Sequence, residues 1–258
     1  MKVYVHADME GISGIRSMVQ VQFDSPEYAE GRRLMMADMN VAIDAAFVAG
    51  ATEVIACDTH GGGGQIDVRE MDPRAVYELP ASGRMMPSLD ESFTAVVELG
   101  RHARAGTLNG FLDHTMSSKS WFEYKLNGQP MGELGIVAAY AGHYDVPVVA
   151  VSGDAAAAKE AADLLDGVEC AVVKWGLGRN KARCLSIENA HAEIRRAVEQ
   201  GIRNAANVQP FKPSLPATIE LTFCRSDMAD AVMHIRGLER IDARTVRRQS
   251  NSLLDLRL

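Results

Sequence analysis

The first fourteen residues, MKVYVHADMEGISG, carry two carboxylates placed where they can do chemistry. Val3, Val5 and Ala7 alternate with Tyr4 and His6, the period of a strand, and the run breaks at Asp8-Met9-Glu10-Gly11. Side chains two apart on an extended segment point the same way, so Asp8 and Glu10 are expected to project together from the strand's carboxyl end. Like charges that close raise each other's pKa unless a cation neutralises them, and a divalent metal is the usual cation for paired carboxylates beside a glycine turn. The competing reading is a helix cap followed by a solvated glutamate.

The same ending recurs along the chain. Residues 52–57, TEVIAC, read as a buried parallel strand and run into Asp58-Thr59-His60, with a tetraglycine from Gly61 to Gly64 behind them. Residues 93–100, FTAVVELG, run into Arg101-His102-Ala103-Arg104, and Asp113-His114-Thr115 lies in the loop just beyond. Glu133 falls in the first turn of a helix opened by Gly132-Glu133-Leu134-Gly135, where the helix dipole favours an anion. Ligands of open α/β sheets bind in the crevice at the strands' carboxyl ends. Three consecutive strands ending in metal-capable or proton-transferring side chains therefore point to one site. Asp58 and Asp113 either orient His60 and His114 or simply cap turns. His6, His143, His191 and His234 read as structural or solvated.

These residues need a frame to hold them. Apolar residues at helical spacing predict a helix from Tyr28 to Gly50, and Asn127-Gly128 between β-rich flanks predicts a type I′ hairpin over 121–131. Residues 146–151, VPVVAV, predict a strand, followed by an Ala-rich helix over 155–165. Beyond it come a strand at 169–174, a turn bearing Arg and Lys, a helix from Ser186 to about Asn204, prolines at 210, 213 and 216, a strand at 217–223 and a short helix near 227–234. The expected fold class is α/β, a mostly parallel sheet flanked by helices, with a smaller C-terminal α+β portion. Residues 1–165 would form the metal-binding catalytic domain and 166–258 the smaller domain, in oligomer contacts. No closing helix precedes Leu258.

Several function classes are disfavoured. The net charge is −7 and the Lys and Arg residues are scattered, so neither nucleic acid nor a membrane surface is an expected partner. The chain runs straight into a strand, and no window approaches the ~18 apolar residues of a membrane span, which predicts a cytoplasmic protein. Cys57, Cys170, Cys184 and Cys224 lie too far apart for a CxxC pattern and are expected to be free thiols. The tetraglycine lacks the GxxxxGK[ST] or GxGxxG context of a phosphate cradle, and no GxSxG marks a serine nucleophile.

The motifs HADMEGISG, CDTHGGG, GRHARAG, DHT, GELG and VPVVAVSGD, in this order and with these separations, resemble the D-aminopeptidase (DppA-type) family of zinc metallopeptidases over essentially the whole chain to about residue 224. The resemblance implies a two-zinc site built by Asp8, Glu10, His60, His102 and Glu133, with Asp8 bridging the ions and His114 as the catalytic residue. It also implies removal of N-terminal D-amino acids from short peptides or amides by attack of a metal-bound water, and a ring-like homo-oligomer. Mixed imidazole and carboxylate ligands suit zinc, and paired ions suit amide hydrolysis. A non-peptide amide or lactam as substrate, or a catalytically idle binding subunit, are the alternatives. The tetraglycine and the Arg-rich RTVRRQ segment depart from the family pattern.

Overall fold

The computed structural model describes residues 1–80 and 84–256, so the chain end at Leu258 lies outside the described residues. Twelve strands and five α-helices follow one another as β1 (Lys2–Ala7), α1 (Tyr28–Val48), β2 (Glu53–Asp58), β3 (Val76–Glu78), β4 (Ala95–Arg101), β5 (Trp121–Leu126), β6 (Gln129–Pro130), α2 (Glu133–His143), β7 (Val148–Asp154), α3 (Ala155–Leu164), β8 (Glu169–Gly178), β9 (Lys181–Cys184), α4 (Ile187–Arg203), β10 (Ala217–Phe223), α5 (Ser226–Val232), β11 (Glu239–Arg240) and β12 (Thr245–Ser250). A seven-stranded sheet has the order β3-β2-β1-β4-β7-β8-β9, parallel except for the last pair. The α/β class expected from the sequence is therefore correct.

The strand order explains where a site must form. From β1 the chain moves outward through β2 and β3, then returns to place β4 on the other side of β1. At such a reversal the connections leave in opposite directions and open a crevice at the strands' carboxyl ends. The alternation in β1 supplies both faces: Val3, Val5 and Ala7 pack under α1 and α4, while Tyr4 packs on the other side with α2 and the second sheet.

That second sheet, β11-β12-β10-β5-β6, is antiparallel and amphipathic, with Ala217, Ile219, Leu221 and Phe223 of β10 turned inward. Asn127 and Gly128 both adopt positive φ (51° and 80°) between β5 and β6, the backbone that a type I′ turn requires. The sheets do not follow the expected boundary at residue 165. β8 and β9 extend the large sheet from beyond it, and β5 and β6 join β10 from before it. Local periodicity carries no information about such long-range pairing. It also left out β12, the RTVRRQ region, whose buried Thr245 and Val246 pair with β10.

Two close backbone approaches weld the carboxyl ends of β1 and β4. Asp8 N donates to Leu99 O at 2.9 Å and Gly11 N to Gly100 O at 2.8 Å. A Cβ on Gly11 would lie 2.2 Å from Arg101 O, and one on Gly100, at φ +70°, would lie 2.3 Å from Asp8 O. Only glycine permits this distance and this conformation.

Candidate metal centre

All six residues singled out in the sequence meet at this crevice. Asp8 and Glu10 follow β1, His60 follows β2, His102 follows β4, and Glu133 opens α2. The first pair converge through a turn rather than along an extended strand, and both reach the same imidazole: His60 Nδ1 lies 3.3 Å from Asp8 Oδ1 and 3.1 Å from Glu10 Oε2. The other oxygen of Asp8 faces the opposite way, 3.3 Å from His102 Nε2, which is also 3.5 Å from Glu133 Oε1. Two donor groups result, one of Asp8, Glu10 and His60 and one of His102, His114 and Glu133, each with its ligand atoms within 4.8 Å of one another. Asp8 stands between them. The His114 ring stacks on that of His102 with centroids 4.0 Å apart, and its Nε2 is 3.6 Å from Glu133 Oε1.

The orientation of the imidazoles decides what this cluster can hold. A carbonyl oxygen only accepts, so the nitrogen facing it must carry the proton. His60 Nε2 donates to Val21 O at 2.8 Å, His102 Nδ1 to Ala103 O at 3.0 Å and His114 Nδ1 to Leu112 O at 2.8 Å. Each ring thereby turns its other nitrogen, a lone pair in the neutral form, toward carboxylate oxygens. His102 Nε2 is buried and makes no hydrogen bond. Lone pairs facing carboxylates repel unless a cation lies among them, and an imidazole anchored through its far nitrogen is how proteins present a histidine to a metal. The donor set of three imidazoles and three carboxylates fits zinc or a similar divalent ion.

The electrostatics say the same. Burial opposes charge on His60, but Glu10 and Asp8 outweigh it and push its pKa up to about 12. Burial likewise opposes charge on His102, yet Glu133 and Asp8 hold its pKa well above the usual imidazole range. Burial works against ionisation of Glu133 too, but His102 pulls its pKa down to about 2. Asp8 behaves in the same way: His102, His60 and Arg101 overcome its burial and hold the carboxyl well below the usual range. Asp8 and Glu133 thus remain charged and concentrate positive charge between them.

Three features were not anticipated from the sequence. Asp58 accepts from the amides of Gly64, Gln65 and Ile66 at 3.2, 3.2 and 3.3 Å, so it shapes the tetraglycine loop and does not orient His60. Asp113 accepts from Gly106 N at 2.7 Å, and main-chain carbonyls take the orienting role. Beneath the site Arg101, 1% exposed, pairs with Glu98 and reaches Asp8 Oδ2 at 3.4 Å and Glu133 Oε2 at 4.0 Å, with His6 beside it. Glu98 and Arg101, three apart in an otherwise apolar strand, were the available signal.

The third feature is Lys174, expected at a strand end but lying within β8 and fully buried. Its Nζ donates to Glu10 O, Ile12 O and Ile15 O at 2.9, 2.6 and 2.7 Å, pinning the loop that carries Asp8 and Glu10. Burial pulls its pKa down to about 8. Lys174→Met would leave three carbonyls without their donor. At about 1–3 kcal/mol for each unsatisfied buried group, the variant is expected to lose about 3 kcal/mol or more of unfolding free energy. Denaturant unfolding of the two proteins measures this; an unchanged midpoint would mean that the loop does not depend on the ammonium.

The cluster opens into a cavity of about 580 Å³, within the range of small-molecule sites. Phe23, Met85, Met116 and Val137 supply apolar wall, and Phe23 stacks on His60 with centroids 6.0 Å apart.

The whole chain resembles known proteins. The family model described as D-aminopeptidase, peptidase M55, matches residues 1–257. The chain belongs to the D-aminopeptidase family. A D-aminopeptidase of Bacillus subtilis (strain 168) is 34% identical over an aligned length of 261 residues, covering 99% of this chain and 93% of that relative. A solved structure described as "Zn-dependent D-aminopeptidase DppA from Bacillus subtilis, a self-compartmentalizing protease" superposes with a TM-score of 0.95 at 33% identity, covering 99% of this chain and 94% of that one. The fold is that of DppA. Among the described residues no helix is long and apolar enough to cross a membrane.

Proposed function

We propose that the protein is a binuclear zinc aminopeptidase that removes N-terminal D-amino acids from short peptides or amino acid amides in the cytoplasm. The observation that carries this reading is the common arrangement of His60, His102 and His114, each tethered to a main-chain carbonyl and turned toward shared carboxylates. Asp8, Glu10 and His60 would hold one ion, and Asp8, His102 and Glu133 the other. Zinc bound there polarises an amide carbonyl and lowers the pKa of water so that it attacks at neutral pH.

The chain's own residues do the rest. Asp24 is the cavity-lining acid outside that ligand set, and its carboxylate can receive the free amino group of a substrate. His114, with Nδ1 fixed on Leu112 O, keeps Nε2 free to take a proton or deliver one to the departing amide nitrogen. Arg101 fixes the carboxylates of Asp8 and Glu133 from below, so that neither rotates away during turnover. The B. subtilis relatives, a D-aminopeptidase and the zinc-dependent DppA, support the D-configuration and the zinc dependence.

The test pairs metal content with hydrolysis of D- and L-alanine amide before and after chelation. Near two zinc per chain, cleavage of the D-amide in preference to the L-amide, and loss of cleavage on chelation are the expected results. Two ions without cleavage of either would keep the site and move the substrate to another class of amide or lactam. Absence of bound metal would overturn the reading. DppA is a self-compartmentalizing protease, which supports a ring-like homo-oligomer here, with residues 166–258 contributing contacts; light scattering on the eluting protein measures the assembly.

A further inference from the structure

The cavity is electrically polarised along its length. Its floor holds Arg101 and the carboxylates of Asp8, Glu10 and Glu133 that would hold zinc, and its remaining acid, Asp24, comes from the segment that orients His60. The side of His114 carries the opposite sign, with Lys119 and Arg179 both lining the cavity.

Neither cation has a firm partner. Lys119 is exposed and, among the described residues, makes no hydrogen bond or ion pair. Arg179 Nε lies 3.6 Å from Asp113 Oδ1, too long for a hydrogen bond, while the other oxygen of Asp113 is taken by Gly106 N at 2.7 Å. The guanidinium is 38% exposed and its Nη donors are unused. Its position is nonetheless fixed. Leu112 N donates to Arg179 O at 2.7 Å, and Leu112 O accepts from His114 Nδ1, so one residue ties Arg179 to the proton-transfer group.

We infer that Arg179 and Lys119 form a subsite for the C-terminal carboxylate of a short peptide, so that the enzyme favours di- and tripeptides with a free C-terminus over C-terminally blocked ones. A planar guanidinium with free Nη groups binds a carboxylate through two parallel hydrogen bonds, and the ammonium adds a point charge. A short peptide is a zwitterion whose amine matches Asp24 and whose carboxylate matches this wall. The inference rests on the aminopeptidase reading and adds which substrates the same site selects.

The closing experiment compares D-alanylglycine with D-alanylglycinamide, which share one scissile bond and differ only in the carboxylate. In the zinc-loaded enzyme the ratio of kcat/KM, acid over amide, is expected to fall at least tenfold in Arg179→Ala/Lys119→Ala, mainly through KM for the acid. Arg179→Lys/Lys119→Arg should recover most of that ratio. Equal losses for acid and amide would overturn the subsite. Calorimetry on zinc-loaded His114→Ala reads the same preference without turnover. Tighter binding of the acid, lost when Arg179 and Lys119 are also replaced by alanine, supports the subsite even if the parent enzyme cleaves neither compound, an outcome that would count only against the aminopeptidase reading. Equal binding of acid and amide with both cations in place overturns it.

Discussion

If the centre holds two zinc ions as proposed, Asp8→Asn is expected to cost the protein both and at least about a thousandfold in kcat/KM for a D-amino acid amide. The two oxygens of Asp8 divide between the donor groups, one 3.3 Å from His60 Nδ1 and the other 3.3 Å from His102 Nε2. The carboxamide keeps the shape but replaces one oxygen by an NH2 donor and removes the charge, so neither group retains its shared anion. Several kcal/mol of transition-state charge stabilisation depends on the ions, and each 1.4 kcal/mol is a factor of ten in rate. Zinc analysis of the folded variant, with circular dichroism as the control for folding, decides the matter. Loss of a single ion would restrict Asp8 to one group, and full occupancy would remove it from the ligand set.

His114→Ala is expected to lower kcat by about 10²–10⁴-fold, the usual contribution of a positioned acid or base, and to leave zinc content at the level of the parent protein. The geometry makes this outcome informative. His114 Nε2 and His102 Nε2 stand almost equally far from Glu133 Oε1, 3.6 and 3.5 Å, so distance alone allows His114 as a ligand. Exposure separates the two. The His102 side chain is 1% exposed, whereas that of His114 is 17% exposed and lines the cavity where a substrate would lie. A fall in zinc content parallel to the fall in kcat would move His114 into the ligand shell.

Much of the site was legible because parallel α/β architecture puts function at strand ends, and the ends of β1, β2 and β4 can be recognised from short apolar runs. That rule and a helix start brought Asp8, Glu10, His60, His102 and Glu133 to one crevice, and the resemblance to the family selected them as a ligand set. Their partners were another matter. The pairing of β5 with β10, and of β7 with β8 beyond residue 165, depends on contacts between residues far apart in the chain, which no local period encodes. Lys174 was unreadable for a related reason: a lysine near a predicted strand end is normally solvated, and only the loop over β8, from β1 more than 150 positions earlier, gives it three carbonyls to satisfy. Asp58 shows an open choice resolved: of the two roles its place before His60 allowed, orienting the ring or capping a turn, its side chain performs the second.

The three imidazoles are held by the carbonyls of Val21, Ala103 and Leu112, and a carbonyl is the one acceptor that every residue type supplies. The orienting contact therefore places no demand of its own on the side chains at these positions, which are held instead by packing in the core. A substitution scan there reads the loss of packing, not the loss of the orienting carbonyl. Insertion or deletion of a single residue between 18 and 24, or between 102 and 114, would move the acceptors themselves. The orienting contacts are thus indifferent to changes of letter and exposed to changes of length, and the length of these two segments is the trait that selection on the site has to preserve.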